Sequence, residues 1–457
     1  MTELKVKIEE MIKSLLEEKK YSTIKDIVST MAAGDIAALF ERVDEKQIPF
    51  LFRLISKDKA ADVFVEMDSG FQELLIRGFS DSELKDIVND LYANEAADLV
   101  DEMPAIVVDR ILKQISPEKR GDINRLLQYP ENSAGSIMST EYVSLRLGLT
   151  VGEAIAQIRK SGFDNKSFYT CYVTKNKKLL GRLSVKDLLL AKDDSIKIDS
   201  IMKENVITVN TREDKEEVAK LLSKYNYYAL PVVDGDGRMV GIISFDDALE
   251  VMEDEATEDI EIMGGMSPSE KTYLRSTPLD LFRHRIVWLL VLMVSATFTG
   301  MIITNFESAL AVQVALAAFI PMLMDTGGNS GSQSSVTIIR ALSLGEVGFN
   351  DLPKVVWKEI RVAVLCGLAL ALVCFAKIML IDRLLLGNQG VTVQIAFVVC
   401  AAMAATVLVA KMIGCALPLC AKRLGFDPAV MSSPFITTIV DATSLVVYFA
   451  IARAVLF

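Results

Sequence analysis

Five apolar segments, about 286–306, 308–324, 362–381, 391–410 and 428–457, occupy the carboxyl-terminal part of the chain, and the fourth keeps its apolar character past Lys411. A helix needs about 20 apolar residues to cross about 30 Å of hydrocarbon, and each segment approaches or exceeds that length. The second does so only if some of the polar residues after it lie at membrane depth. Because lipid offers no partner to backbone N–H and C=O groups, these segments must be helical. The pattern predicts a five-helix all-α transmembrane domain over 282–457 with its two chain ends on opposite faces. Arg283 and Arg285 precede the first span, Arg340, Lys354, Lys358 and Arg361 lie between the second and third, and Lys422 and Arg423 precede the fifth. By the positive-inside rule the amino terminus is cytoplasmic and the carboxyl terminus outside; the loop near Asp382 and Arg383 falls outside.

Two features interrupt this apolar background. Asp441 sits inside the last run, where a carboxylate costs about 2.5–3.5 kcal/mol even on lenient insertion scales and so normally faces a pore or a partner. The second run stops at Met324 and continues as Asp325-Thr-Gly-Gly-Asn329-Ser-Gly-Ser-Gln333. Irregular backbone at that depth is expected only where it lines a water-filled cavity or is buried in protein. Both features point to an ion path. The alternatives are an aspartate buried by interhelical hydrogen bonds and a glycine loop at the headgroups, and Asp325 either attracts cations or caps the glycine turn.

The chain is 51% hydrophobic yet 24% charged, a mixture that resolves on division: 52 acidic and 37 basic residues precede Phe282, and 8 acidic and 12 basic residues follow from there. A soluble part carrying about −15 repels nucleic acid and attracts cations. Met1 to Lys20 is charged and amphipathic, without the apolar core of a secretory signal, so the amino-terminal half is expected to stay in the cytoplasm. Six cysteines without CxxC spacing read as small packing residues.

Residues 1–130 show helical periodicity and a loose repeat. Ile36-Ala-Ala-Leu-Phe40, Ala60-Ala-Asp-Val-Phe64 and Ala96-Ala-Asp-Leu-Val100 recur, the latter two followed by Glu66-Met67 and Glu102-Met103. A stack of helical hairpins, a cytosolic α-helical superhelical domain, is expected, closed by Pro130. A clearer duplication follows, with copies over 131–200 and 201–254. Ile137-Met138 is answered by Ile201-Met202, and Gly181-Arg-Leu-Ser184-Val-Lys-Asp187 by Gly241-Ile-Ile-Ser244-Phe-Asp-Asp247. This resembles a tandem pair of α/β CBS domains. In that family the hydroxyl and aspartate of this ending can bind the ribose of an adenine nucleotide, so the resemblance implies ATP at Ser244 and Asp247; the other reading is that both only cap the next helix.

From Asp246 to Glu261 the sequence carries nine acids and no base, with Asp247, Glu250, Asp254 and Glu258 on one helical face. Like charges at i and i+4 cost a few tenths of a kcal/mol per pair, so a helix here is frustrated unless cations sit against it. A solvated linker is the plainer reading, but the run's position directly ahead of the membrane domain favours divalent binding, and an acidic plug or connecting helix is expected over 255–281.

One carboxylate per chain beside a polar stretch suits magnesium, which keeps its water and binds through one or two carboxylates. Calcium would need about six to eight oxygens, and copper or zinc would favour Cys or His; His284 alone is a boundary residue. A single acid cannot ring an ion, so a homodimer pairing two copies of Asp441 is the natural arrangement in the bilayer.

The whole order resembles the MgtE magnesium channels. The matching motifs are Tyr129-Pro-Glu-Asn-Ser-Ala-Gly135, Glu255-Ala-Thr-Glu258-Asp259-Ile260, Pro321 to Gly331, Gly425-Phe-Asp427-Pro-Ala429 and Thr437-Thr-Ile-Val-Asp441-Ala-Thr443. The resemblance implies that Asp441, the Thr437 carbonyl and Asn329 hold a hydrated magnesium ion in a homodimeric pore. It further implies that Glu255, Glu258, Asp259 and Asp427 share regulatory magnesium, and that Asp247, with Glu95 or Asp98 in the helical domain, takes more. Ser444 stands where the family is expected to prefer glycine. The expectation is thus a magnesium-selective channel of the cell membrane, importing the ion down its gradient and closed by cytosolic magnesium. The alternative is a transporter or exchanger for cobalt, manganese or nickel. No HExxH and no GxxxxGK[ST] occurs, and no enzymatic activity is expected.

Overall fold

The protein is described by a computed structural model covering residues 2–161, 167–269, 273, 276–307, 313–388, 390–431 and 433–456. It forms two compact units, Met1–Glu253 and Asp254–Phe457.

The first unit opens with ten helices, from Thr2–Glu17 to Pro117–Leu126, among the described residues. Helices pack on the next but one: Ala33–Phe40 on Lys57–Val65, that on Asp81–Asp90, and that in turn on Ala105–Gln114. The repeated motifs supply the buried faces, through Ala37 and Phe40, Ala60 and Phe64, and Ala96 and Val100. Helix carboxyl ends leave carbonyls without intrahelical donors and carry partial negative charge, so cations satisfy them well. Here a later helix supplies the cation each time. Lys59 reaches the Ser29 and Met31 carbonyls, Arg110 those of Ile76 and Phe79, and Lys119 those of Asn89 and Leu91. At the other end, Ser80 and Glu83 form a reciprocal capping box for Asp81–Asp90.

Two three-stranded sheets follow: β1 (Tyr142–Arg146), β2 (Ser167–Lys175) and β3 (Lys178–Ser184), then β4 (Val209–Asn210), β5 (Ala229–Val233) and β6 (Met239–Ser244). The first two strands of each run parallel and the last two antiparallel, and the registers agree: Thr170 faces Ser184 as Ala229 faces Ser244. The matched Ile-Met and glycine motifs turn out to serve each other across the copies. Ser139 and Ile242 exchange backbone hydrogen bonds at 2.8 and 2.9 Å, as do Arg182 and Lys203. A Cβ on Gly241 would lie 2.8 Å from the Met138 sulfur and the Ser139 carbonyl, and one on Gly181 would lie 2.8 Å from the Met202 sulfur. Glycine is required at both positions because a strand passes over a neighbouring backbone with no room for a side chain.

Helix α1 (Phe245–Met263) carries the acid run. The helix expected over 255–281 therefore begins ten residues earlier and ends at Met263. Gly265 has φ +70°, and Trp288 lies against it, so the chain leaves the helix through a residue without Cβ.

In the second unit α2 (Pro278–Asn305), α3 (Ile320–Ser343), α4 (Leu352–Lys377), α5 (Val393–Arg423) and α6 (Ser433–Leu456) form the five-helix bundle. Among the described residues four stretches, Pro278–Asn305, Phe349–Leu385, Val393–Arg423 and Ser433–Leu456, are long and apolar enough to cross a membrane. The second of these continues α4 as a π-helical turn, Ile378–Leu385, which takes in Asp382 and Arg383 rather than leaving them in a loop. The segment anticipated at 308–324 lies partly outside the described residues; from Val314 it forms a 3-10 turn and then enters α3. Contrary to expectation, Asp325 to Gln333 is not irregular but lies within the continuous helix α3. Helices α3, α5 and α6 pack on one another, α4 on α5, and α2 on α6.

Candidate functional site

Helix α3 has two unlike faces. Asp325, Asn329, Gln333 and Thr337, spaced four apart and so in one row, are exposed in the single chain. Asn329 donates from Nδ2 to Asp325 Oδ1 at 3.1 Å. Gly327, Gly328, Ser330, Gly331, Ser334 and Ser335 are buried. Glycine in a helix interior costs about 1 kcal/mol relative to alanine; close approach is what this helix gains in return. A Cβ on Gly328 would stand 2.9 Å from Thr437 Cγ2 and 3.6 Å from Asp441 Oδ1 of α6. On Gly327 it would stand 2.7 Å from Ser444 Oγ and 2.7 Å from Thr406 Cγ2, and on Gly331 2.9 Å from Ile436 Cγ2 and 3.2 Å from the Ala410 carbonyl. This small-residue interface lets α3 seat against α5 and α6 at backbone distance.

The glycines thereby bring Asp441 and Thr437 beside the polar row. Asp441 is half-buried, and Asp325 is near enough for its charge to act on it. Thr437 donates its hydroxyl to the Pro434 carbonyl at 3.0 Å, and its own carbonyl points along the axis toward the turn carrying Asp441. Two carboxylates, a carboxamide and helix carbonyls along one face can accept hydrogen bonds from a hydrated cation. They do not form a cage: among the described residues no three His, Cys, Asp or Glu side chains gather as a chelating group. Ser444 is buried with its hydroxyl unpartnered, as is that of Thr406, both beside Gly327.

The regulatory candidates are more dispersed. Glu258 is exposed on α1, with Glu255 and Asp259 partly buried, and Asp427 is exposed, accepting from the Ala429 N–H at 2.8 Å. In the first unit Asp247 is buried; it accepts from the Ser244 N–H at 3.0 Å and hydroxyl, and from Asn94 Nδ2 at 3.4 Å. Glu95 caps its own helix through the Tyr92 N–H at 2.8 Å, and Asp98 lies one turn further on. In the ending expected to bind nucleotide in the second copy, Ser244 is 2% exposed and Asp247 is buried with it. Its counterpart remains accessible: Ser184 and Asp187 are partly exposed, with Lys203 and Lys186 within electrostatic reach.

Three functional candidates were not anticipated from the residues alone. Lys411 on α5 is 5% exposed and meets Ser334 of α3 and Glu359 of α4. A lysine inside an apolar run was the available signal; its partners, far off in the chain, carried none.

Similarity to known proteins extends over most of the chain. The family described as MgtE, divalent cation transporter, matches residues 320–451; the MgtE intracellular N domain matches 31–132, and the CBS domain matches 134–194 and 198–254. The magnesium transporter MgtE of Thermus thermophilus is 33% identical over 451 residues, covering 97% of this chain and 98% of its own. The magnesium transporter MgtE of Bacillus subtilis is 30% identical over 441 residues, with 96% and 95% covered. A crystal structure of the cytosolic domain of the Mg2+ channel MgtE in complex with ATP is 31% identical with a TM-score of 0.50, covering 52% of this chain and 98% of that one. The soluble part of a magnesium transporter is 27% identical with a TM-score of 0.51, covering 55% and 99%.

Proposed function

The chain belongs to the MgtE family of divalent cation transporters, and from that premise we propose that it is a magnesium channel whose ion path runs along the polar row of α3 past Asp441. The observation that carries this reading is the row itself. Asp325, Asn329 and Gln333 stand exposed on a helix of the membrane unit, with Asp441 and Thr437 packed over Gly328. Such a face is costly against lipid and favourable against water or a second copy. A two-fold homodimer would turn two such faces toward one axis and pair the Asp441 carboxylates around a magnesium ion that keeps its water. With the amino terminus in the cytoplasm and the carboxyl terminus outside, a divalent ion entering gains about 4.6 kcal/mol per 100 mV, so import needs no coupled reaction.

Closure by cytosolic magnesium is the regulatory half of the proposal. Glu255, Glu258 and Asp259 on α1 and Asp427 ahead of α6 would hold ions between helix and loop, and without the ions their mutual repulsion would loosen that contact. In the first unit Asp247, with Glu95 or Asp98, would hold further ions once Asp247 exchanges its bond with Asn94 for a cation. For a nucleotide such as ATP, the geometry favours Ser184 and Asp187, which are partly exposed with Lys203 and Lys186 within electrostatic reach, over Ser244 and Asp247, which are buried.

The test is magnesium uptake into proteoliposomes by the native chain and by Asp441→Ala at matched reconstitution. Loss of flux in the variant supports the path; equal flux in both refutes it. Uptake of cobalt, manganese or nickel but not magnesium by the native chain would replace the ion. Neutralising Glu258, Asp259 and Asp427 together is expected to leave uptake insensitive to magnesium on the cytoplasmic side, and retained inhibition would refute the closure mechanism.

A further inference from the structure

A buried charged group behind the polar row has no part in the ion path just described. Lys411 lies on α5 next to Ala410, whose carbonyl meets the Gly331 contact. Its Nζ donates to Ser334 Oγ at 3.3 Å and lies 4.0 Å from Glu359 Oε2, and Ser334 Oγ donates to the same Glu359 oxygen at 2.6 Å. Three helices thus meet at one hydroxyl: α3 gives Ser334, α4 gives Glu359 and α5 gives Lys411. The Lys411 side chain is 6% exposed and that of Glu359 14%, so both are largely withdrawn from solvent. An ion pair at that depth is a weak source of stability, but breaking it by removing one partner is severe, because the remaining charge is left uncompensated.

Its position gives the pair a task. Just toward the amino-terminal side of Ser334, α3 crosses α5 where Gly331 meets Gly414, and neither residue has a side chain. Contacts of this kind allow close approach but supply no knob to stop one helix sliding along the other. Ser334 follows Gln333 directly, so any slide of α3 at this point moves Asn329 and Asp325 relative to Asp441 on α6. We propose that Lys411, Glu359 and Ser334 form a charge clamp that fixes the axial position of α3, making Lys411 and Glu359 positioning residues for ion passage. The proposal rests on the reading of α3 as the helix that lines the path.

The test uses the full chain in proteoliposomes and compares the native protein with Glu359→Gln, Lys411→Met, the double variant carrying both, and Asp441→Ala. The uptake rate per reconstituted protein and the half-saturating magnesium concentration are recorded for each. Either single variant is expected to lower uptake by about tenfold or more and to shift half-saturation, because one buried charge stands alone; the double variant is expected to return to within about threefold, since a neutral pair of similar volume is tolerated where a half-pair is not. A changed half-saturating concentration in single variants that accumulate is the readout that general loss of structure would not produce, and recovery in the double variant ties that change to the pair. If the single variants fail to accumulate, a double variant that accumulates and transports supports the clamp. A double variant that does not accumulate, or transports no better than either single one, overturns it. Single variants with native rate and native half-saturation also overturn it. Asp441→Ala separates the two layers: lost flux there beside native single variants removes the clamp alone, and retained flux removes the path reading and the clamp with it.

Discussion

Gly414→Ala tests the close packing on which the proposed ion path rests. A Cβ at Gly414 would fall on the Gly331 carbonyl oxygen, with the Gly331 carbonyl carbon at 3.0 Å and its Cα at 3.2 Å. A side chain can rotate away from such an intrusion, but a helix backbone cannot, so α3 and α5 must separate. Two effects oppose. Alanine is favoured over glycine in a helix interior by about 1 kcal/mol. Inserting a methyl group into a packed contact costs about 1–3 kcal/mol, and an obstacle of backbone sets this case at the upper end. The net expectation is destabilisation by about 2 kcal/mol, with the polar row displaced from Asp441. Gly300 on α2 is the matched control: nothing lies within 4 Å of its Cβ position, so alanine there meets no obstacle. The chain contains two tryptophans, Trp288 and Trp357, both in the second unit, so tryptophan fluorescence during denaturant titration in detergent follows that unit alone. Gly414→Ala is expected to unfold at lower denaturant and to carry less magnesium, and Gly300→Ala to do neither. A Gly414→Ala protein with native unfolding and native flux would refute the claim that these helices are held at backbone distance.

Two further predictions concern the first unit. The Arg53 guanidinium, bonded at 2.7 Å, together with the Ser80 backbone and hydroxyl, holds the Glu83 carboxyl at about 2, below its usual 4.5. That stabilisation is present in full above about pH 4.5 and is lost as pH falls through about 2. Both side chains are more than a third exposed, so it amounts to about 0.2–1 kcal/mol. Hydrogen exchange in Asp81–Asp90 is expected to be faster in Glu83→Gln than in the native chain at pH 6, with the difference shrinking as pH falls from about 4.5 toward 2; a difference independent of pH would refute the ion-pair account. Burial pushes the Cys171 thiol up to about 12, so peptide mapping after maleimide treatment at pH 8 is expected to find Cys171 unlabelled in the folded chain and labelled after denaturation. Labelling of the folded protein would refute it.

Much of the architecture is legible in one dimension because hydropathy and periodicity are local properties. Apolar segments long enough to span a bilayer announce α2, α4, α5 and α6. The repeated Ala-Ala and Glu-Met motifs mark the buried faces of the helical stack, and the duplicated Gly-x-x-Ser-x-x-Asp endings mark the two sheets. A carboxylate in an apolar run singles out Asp441, since the cost of burying a charge follows from its surroundings in the chain. The same local reading misjudged Asp325 to Gln333, where glycine and polar residues argue for irregular backbone. In the structure each glycine is the space into which Thr437, Val440, Ile436 or Ser444 fits.

What only the tertiary structure decided is which distant residues meet. The residues alone show a lysine, Lys411, within an apolar run; that it is buried, and that Glu359 and Ser334 receive it, follows from the packing of three helices. Gly241 is visible as a repeated glycine, but its need to lack a side chain comes from Met138 and Ser139 crossing over it from the other copy. Ser244 and Asp247 match Ser184 and Asp187 residue for residue, yet Asn94 and the helical stack bury one pair and leave the other accessible. Sequence pattern determines which faces must be hidden and which charges need partners, because those costs are set by each residue and its neighbours. The identity of the partner is a property of the packed chain, where the cost of one buried group is met by another far away in sequence.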